Sequence, residues 1–513
     1  MPKNLLLTMV ALLFSVGIAL SDSSPAQAIL SKGFDGLKGG PGKIMETPGH
    51  GSVLEITNAD VTTGVNRNLP LPIDQIRGCP ILVSCDLSAD NISAKPESWN
   101  GIKLLAHIEF PPGVPHGEEW QQANLPVGTF DWRHVFFRFQ VPDNATAVTL
   151  ILGLEKVTGT VRFSNLSISL VPKFVQAPAV PADQPIFTGH TVPRLRGAMV
   201  HPDISEQDLA NFADNWNGNL IRRQLFRDDP KTTETDFVTY DKWLDEILGK
   251  TDLVLTWAAQ HHVKVVLDLH SPPGGKFPST GSLFSDPKAE EHFVEIWEKM
   301  ATRYKGNQTI WGFDLVNEPN DDQTAPGCMD WQDLALAAGK AVREIDPDRT
   351  LIIEPPDNGG ASGWEYFNPL PLSHVVYSFH MYDPLRYTHQ HVFNPKESSV
   401  SYPGEIDGKL WNRDALLKAM QPSIDFARRY RVHMYVGEFS AIRWAPGAEN
   451  YLADAISIFE EQGWDWSYHS YREWQGWSLE LGTDESNLQP SPEPTARFQV
   501  VEKWLKQNEK PTD

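Results

Sequence analysis

The stretch IWGFDLVNEPN (310–320) decides the fold. Its first seven residues are almost all apolar, as suits a strand buried on both faces of a parallel sheet. At Asn317 and Glu318 the chain turns polar, and Pro319 ends the strand because it has no N–H for the ladder. A carboxylate is thereby held at the carboxyl end of a buried strand, where βα proteins gather their chemistry. Asn-Glu-Pro is also an ordinary turn signal, so this stretch takes its weight from another. HMYVGEFSA (433–441) is a second apolar strand that ends in a carboxylate, Glu438. Two strand-end carboxylates far apart in sequence are what an acid/base pair facing one substrate looks like.

Outward from these two, six similar runs recur: LRGAMV from Leu195, NLIRRQLF from Asn219, VKVVLDLH from Val263, RTLIIEPP from Arg349, HVVYSFHMYDP from His374 and GWDWSYHSY from Gly463. Amphipathic helices lie between the strands, among them AEEHFVEIWEKMATRY (289–304) and RDALLKAMQPSIDFARRY (413–430). Eight strands alternating with helices predict a (β/α)8 barrel over 194–510. A doubly wound open sheet is the alternative, but no Gly-rich dinucleotide turn follows the first strand.

Residues 29–171 read differently. SVLEIT, ILVSCDLSA, IKLLAHIEF, WRHVFFRFQV, AVTLILGLE and VRFSNLSISL are short apolar or alternating runs separated by Pro, Gly and Asn, the pattern of a β-sandwich or jelly roll. GGPGK (39–43) hints at a phosphate loop, but the glycine spacing is wrong and Ile44 stands where a hydroxyl is needed. Residues 172–193 carry five of the region's prolines and predict an extended linker.

Composition narrows the function. With 513 residues, two domains are the natural expectation. Asp and Glu number 66 against 44 Lys and Arg, and the net charge of -22 disfavours nucleic acid and anionic membranes. Seventeen tryptophans tilt the reading toward carbohydrate, since flat rings stack on sugar faces. Lys3, the apolar run 5–20 and Ala26-Gln27-Ala28 read as a secretory signal over 1–28, predicting a secreted, extracellular or periplasmic protein. Of 3 cysteines, Cys79 and Cys85 flank a short run, leaving a disulfide or two buried thiols open.

The carboxyl ends of the barrel strands carry Arg222 on the second, His270 on the third, Asn317 and Glu318 on the fourth, His380 and Tyr382 on the sixth, Glu438 on the seventh, and His469 on the eighth with Trp474 just beyond. Singly, a His or Tyr is usually a satisfied polar or core residue. Together they gather at the face where barrel enzymes place their chemistry.

From about Leu195 onward the chain resembles glycoside hydrolase family 5, the retaining β-glycanases of the cellulase clan. The motifs that carry the likeness are Arg222 in NLIRRQ, His270 in LDLH, LVNEPN, HMY and YVGEFS. The resemblance implies Glu318 as acid/base and Glu438 as nucleophile. It further implies that Asn317 bonds the sugar 2-hydroxyl, that Arg222 and Tyr382 hold the nucleophile, and that His270 and His380 flank the substrate. The first half is similar in pattern to jelly-roll carbohydrate-binding modules, with Trp99, Trp120 and Trp132 as candidate stacking faces.

The chemistry fits these roles. A glycosidic oxygen leaves poorly unless a carboxylic acid protonates it, and an ionised carboxylate must attack the anomeric carbon. Arg222 is expected to keep Glu438 ionised, and an apolar setting with a nearby anion to keep Glu318 protonated. No metal or organic cofactor is called for; the partner is a polysaccharide or oligosaccharide. One departure stands out: the family's eighth strand commonly ends in a Trp that floors the sugar site, and WSYHSYREW offers His469 there. Trp474 or Trp477 in the next loop is then the candidate platform, with Glu473 nearby. The reading is a secreted retaining β-glucanase; a β-mannanase, an exo-β-glucosidase or a non-catalytic sugar-binding protein are the alternatives. A serine esterase fails because GGASGW around Ser362 is no nucleophile elbow, and a zinc hydrolase lacks H-E-x-x-H.

Overall fold

A computed structural model describes residues 28–30, 34, 39–97, 99–113, 118–123, 125–171, 174–227, 236–274, 283–321, 324–325 and 327–512. Apart from Ala28, the expected leader lies outside the described residues. The chain forms two compact units, Met1–Phe174 and Val175–Asp513.

The first unit is built of β strands, with one short helical turn at Ile73–Ile76. Its strands are β1 (Ala28–Leu30), β2 (Lys43–Thr47), β3 (Gly51–Asn58), β4 (Gly64–Pro70), β5 (Pro80–Ile92), β6 (Gly101–Glu109), β7 (Glu118–Gln122), β8 (Gly128–Gln140), β9 (Ala147–Glu155) and β10 (Gly159–Leu170). One sheet runs β2-β3-β10-β5-β8 with β1 added on β10, and a second runs β4-β9-β6-β7. All pairings are antiparallel. Alternate residues of both sheets, such as Leu54, Ile56, Val83 and Leu87 against Leu104, Ala106, Leu150 and Leu152, share one apolar core. The strands β2, β4 and β7 went unread in the sequence for a physical reason. KIMET is almost wholly exposed, EEWQQ is exposed throughout, and GVNRNLP buries only an arginine. Edge strands that bury little apolar surface carry a weak alternating signal, even β4, whose Val65 and Leu69 are half-buried against the core.

Cys79, Cys85 and Cys328 are all free. Cys79 immediately precedes β5 and Cys85 lies within it, so six extended residues, roughly 20 Å, separate them. A disulfide needs Cα atoms within about 7 Å. A single strand cannot fold back to make that bond.

The second unit is a closed barrel of eight parallel strands: β11 (Arg196–Val200), β12 (Leu220–Gln224), β13 (Lys264–Asp268), β14 (Ile310–Asp314), β15 (Thr350–Ile353) and β16 (Val375–Met381), then, past a β17–β18 hairpin (Gly404–Ile406, Lys409–Trp411), β19 (Met434–Phe439) and β20 (Asp465–Tyr471), which pairs with β11. Each corresponds to one run read from the sequence. Helices wrap the outside. Pro287–Tyr304 starts from an Asp286 cap and buries Phe293, Ile296, Trp297, Met300 and Tyr304 against the strands. The helix expected over 413–430 is instead two, Arg413–Ala419 and Gln421–Tyr430. Pro422 has no N–H for the preceding turn, so it opens a new helix rather than continuing the old one.

The segment expected as a linker, 172–193, belongs from Val175 onward to the barrel unit. It is strapped down: Ala177 N donates to Asn368 Oδ1 (2.7 Å), Trp311 Nε1 donates to Thr188 O (3.0 Å), and His190 Nε2 lies 2.7 Å from Asp465 Oδ2. Phe187 and Val192 pack on the lower barrel interior made by Leu195, Leu220, Val266, Trp311, Ile352, Val376 and Tyr435. The prolines remove donors, but the carbonyls and two apolar side chains still find partners.

Candidate active site

Two residues up three of the strands the apolar floor gives way to charge. Leu220 leads to Arg222, Val266 to Asp268, and Ile352 to Glu354, because alternate strand residues point the same way. Arg222 is fully buried and ringed by four carboxylates. Its Nη1 donates to Glu438 Oε1 (2.5 Å) and lies 3.2 Å from Asp268 Oδ2; its Nη2 donates to Asp314 Oδ2 and Glu354 Oε1, both at 2.9 Å, and to Asn317 Oδ1 at 3.1 Å. Burial opposes the charge on Arg222, but the four anions more than offset it and hold the guanidinium protonated. Burial, with Glu354 and Asp268 adding to it against Arg222, pushes Asp314 well above the usual carboxylate range. Of the four acids, Asp314 is thus the one whose charged form burial and its neighbours disfavour.

Above this layer sit the residues named from the sequence. Glu438, in β19, faces inward after a register shift against β16 between Phe379 and His380. Its Oε2 accepts a hydrogen bond from Tyr382 Oη (2.9 Å) and lies 3.1 Å from His469 Nδ1. Burial raises its pKa, yet the charges of His380, His469 and Arg222 outweigh burial and hold it well below the usual range. Glu318 follows β14 in the left-handed region (φ 47°), a conformation uncommon outside glycine. Its amide donates to Glu354 Oε2 (2.9 Å), and its Oε1 lies 2.8 Å from His380 Nδ1. The apolar setting expected for Glu318 is not what surrounds it: its side chain is 31% exposed and ion-paired. A carboxylate oxygen of Glu318, one of Glu438 and a ring nitrogen of His380 all lie within 4.8 Å of one another.

His270 stands on Asp268, Nδ1 to Oδ2 at 2.8 Å. Burial lowers its pKa, but Asp268 more than compensates and raises it. His469 occupies the eighth-strand position. Its Nε2 lies 2.8 Å from Glu473 Oε2 and its Nδ1 2.5 Å from Tyr382 Oη. Burial would lower it; Glu473 and Glu438 raise it to about 10. Trp477 is buried beside His469 and Tyr382, with ring centroids 5.6 and 6.0 Å away. Trp474 is further out, 37% exposed, against Trp477 and Trp444.

Sequence reasoning missed Asp268, Asp314, Glu354 and His389. A period-two step back from His270 leads to Asp268, and the end of RTLIIEPP is Glu354, so both had a signal. His389 had none: it reaches the site from a loop, edge-on to Tyr382 and Trp477, and burial with the charge of His469 lowers it to about 4.

A 29% identical relative over 297 residues is Endoglucanase C of Acetivibrio thermocellus, covering 52% of this chain and 84% of the relative. Cellodextrinase A of Ruminococcus flavefaciens is 23% identical over 256 residues, covering 47% and 69%. A crystal structure of a glycoside hydrolase has a TM-score of 0.50 at 24% identity, covering 60% of this chain and 99% of that one, a likeness of fold. The family model Cellulase (glycosyl hydrolase family 5) matches residues 182–475, more than half of the chain and all eight barrel strands. This chain belongs to glycosyl hydrolase family 5.

Proposed function

We propose that the chain cleaves β-glycosidic bonds in a β-glucan, with retention, through a covalent glycosyl-enzyme intermediate. The observation that carries this reading is the approach of Glu318 and Glu438 oxygens within 4.8 Å. Retaining enzymes hold their carboxyl groups roughly 5–5.5 Å apart so that the nucleophile touches the anomeric carbon, whereas inverting enzymes leave roughly 6.5–9.5 Å for a water. The β-glucan follows from the endoglucanase relatives.

In this reading Glu438, kept anionic by Arg222 and His469 and oriented by Tyr382, attacks the anomeric carbon while Glu318 protonates the leaving oxygen. Glu318 then takes a proton from the water that breaks the ester. Asn317, whose amide oxygen is fixed by Arg222, presents its NH2 toward the sugar 2-hydroxyl; His270, His380 and the His469–Trp477 wall border the sugar, with Trp474 further out along the site. Residues 29–171 are read as a carbohydrate-binding module, supported by Trp99 and Trp120, 58% and 54% exposed. Trp132 serves less well because it is half-buried; one face of its ring is stacked on His50, as one face of Trp120 is on His107. Residues 1–28 are read as a secretion leader.

The test is the anomeric configuration of the first-formed product, followed by NMR before mutarotation. Retained product is expected, and inverted product, or an undiminished rate in Glu438→Ala, refutes the assignment. Affinity electrophoresis of the full chain and of Trp120→Ala in soluble glucan and mannan gels tests the module: equal mobility in all gels counts against it.

A further inference from the structure

Glu354 directly follows β15, is fully buried, and has no catalytic or binding role assigned above. Its two oxygens divide between the two catalytic carboxylates. Oε1 accepts from Arg222 Nη2 (2.9 Å), the group that grips Glu438, and lies 3.1 Å from His380 Nε2, bent from ideal hydrogen-bond geometry. Oε2 accepts from the main-chain N–H of Glu318 (2.9 Å), the residue held at φ 47°. Its carbonyl accepts from Trp331 Nε1 (2.7 Å), which anchors the strand end. Gly359 is flush against it: a Cβ there would lie 2.7 Å from Oε2, and its own φ is 71°. Gly359 O in turn accepts from His380 N (2.8 Å).

His380 therefore has a carboxylate at each ring nitrogen, Glu318 at Nδ1 (2.8 Å) and Glu354 at Nε2 (3.1 Å). A neutral imidazole can donate from only one nitrogen, so two facing carboxylates select the doubly protonated ring.

Building on the acid/base role read for Glu318, we propose that Glu354 is a positioning residue for both catalytic carboxylates and, with His380, forms a relay that supplies Glu318 with its proton. At rest each ring nitrogen carries one proton. The Nδ1 proton passes to Glu318 Oε1, and Glu318 delivers a proton to the glycosidic oxygen as its bond to the anomeric carbon breaks, the electron pair staying on that oxygen. His380 is then neutral, its remaining proton on Nε2, the nitrogen 3.1 Å from the Glu354 carboxylate, which favours that tautomer and leaves Nδ1 basic. In the second step the water oxygen bonds the anomeric carbon, the Glu438 ester bond breaks, and the proton released returns through Glu318 to Nδ1.

Two measurements on the whole chain test this. The first is 15N NMR of histidine-labelled protein, with His380 assigned by loss of its signals in His380→Asn. The unmodified protein is expected to show both ring nitrogens protonated at pH 7, and Glu354→Gln to lose that signature; a neutral His380 in the unmodified protein overturns the relay without any variant. The second is kcat/KM on two aryl β-cellobiosides. In Glu354→Gln the phenyl substrate, which needs acid assistance, should fall about 100-fold and the dinitrophenyl substrate less than about 10-fold. Equal losses on both mean a merely structural role and overturn the proposal. Glu318→Ala is run in parallel. If it too shows no leaving-group dependence, the failure lies in the role given to Glu318; if it alone shows the dependence, the failure is in the relay.

Discussion

Glu473→Gln removes one charge from a buried chain that reaches the nucleophile. Glu473 Oε2 is 2.8 Å from His469 Nε2, and the other ring nitrogen is 3.1 Å from Glu438 Oε2. Burial raises Glu473, but the charge of His469 brings it from 4.5 to about 2, while His469 rises from 6.5 to about 10 against its own burial. The fall of Glu473 corresponds to roughly 3 kcal/mol at about 1.4 kcal/mol per tenfold. The rise of His469 would give more, but Glu438 shares in it, so the smaller figure better measures this pair. The Glu473 contribution is present above pH 4.5 and lost as pH falls toward 2; that of His469 is present below pH 6.5 and lost as pH rises through about 10. The parent chain should therefore exceed Glu473→Gln by roughly 2–3 kcal/mol near pH 5.5, with the gap closing toward both extremes. Urea unfolding of both proteins at a series of pH values reads this directly. A gap below about 0.5 kcal/mol at pH 5.5, or one unchanged up to pH 10, refutes a charged His469–Glu473 pair.

Arg222→Met strands Asp268, Glu354 and Glu438 without their shared cation, and should cost about 3–5 kcal/mol in the urea midpoint of the barrel. Tyr382→Phe deletes the hydroxyl donor to Glu438 Oε2 and should lower kcat by about 10²-fold with KM little changed; an equal rate shows that the hydroxyl does not serve the nucleophile. Gly359→Ala forces a methyl toward Glu354 Oε2 at an unfavourable φ and should destabilise the barrel by about 1–3 kcal/mol, read by thermal unfolding. Thiol titration of unfolded, unreduced protein should count 3 thiols; a count of one would restore the Cys79–Cys85 bond.

The sequence by itself determined the eight barrel strands and the ends from which Arg222, His270, Glu318, His380 and Glu438 project. It could do so because a strand buried on both faces must be apolar along its length, and a polar residue at its end is then conspicuous. It determined the core strands of the first unit for a related reason, their alternation, and passed over the edge strands β2, β4 and β7, which bury little apolar surface. The tertiary structure alone decided which charges meet. That Arg222 serves four carboxylates at once, that Glu354 holds the main chain of Glu318, and that His469 bridges Glu438 to Glu473 depend on barrel closure and on the register shift before Glu438. Apart from the local His469–Glu473 pair, those contacts join segments more than 30 residues apart, and their strength comes from the low dielectric of a site that exists only once the barrel has closed around it.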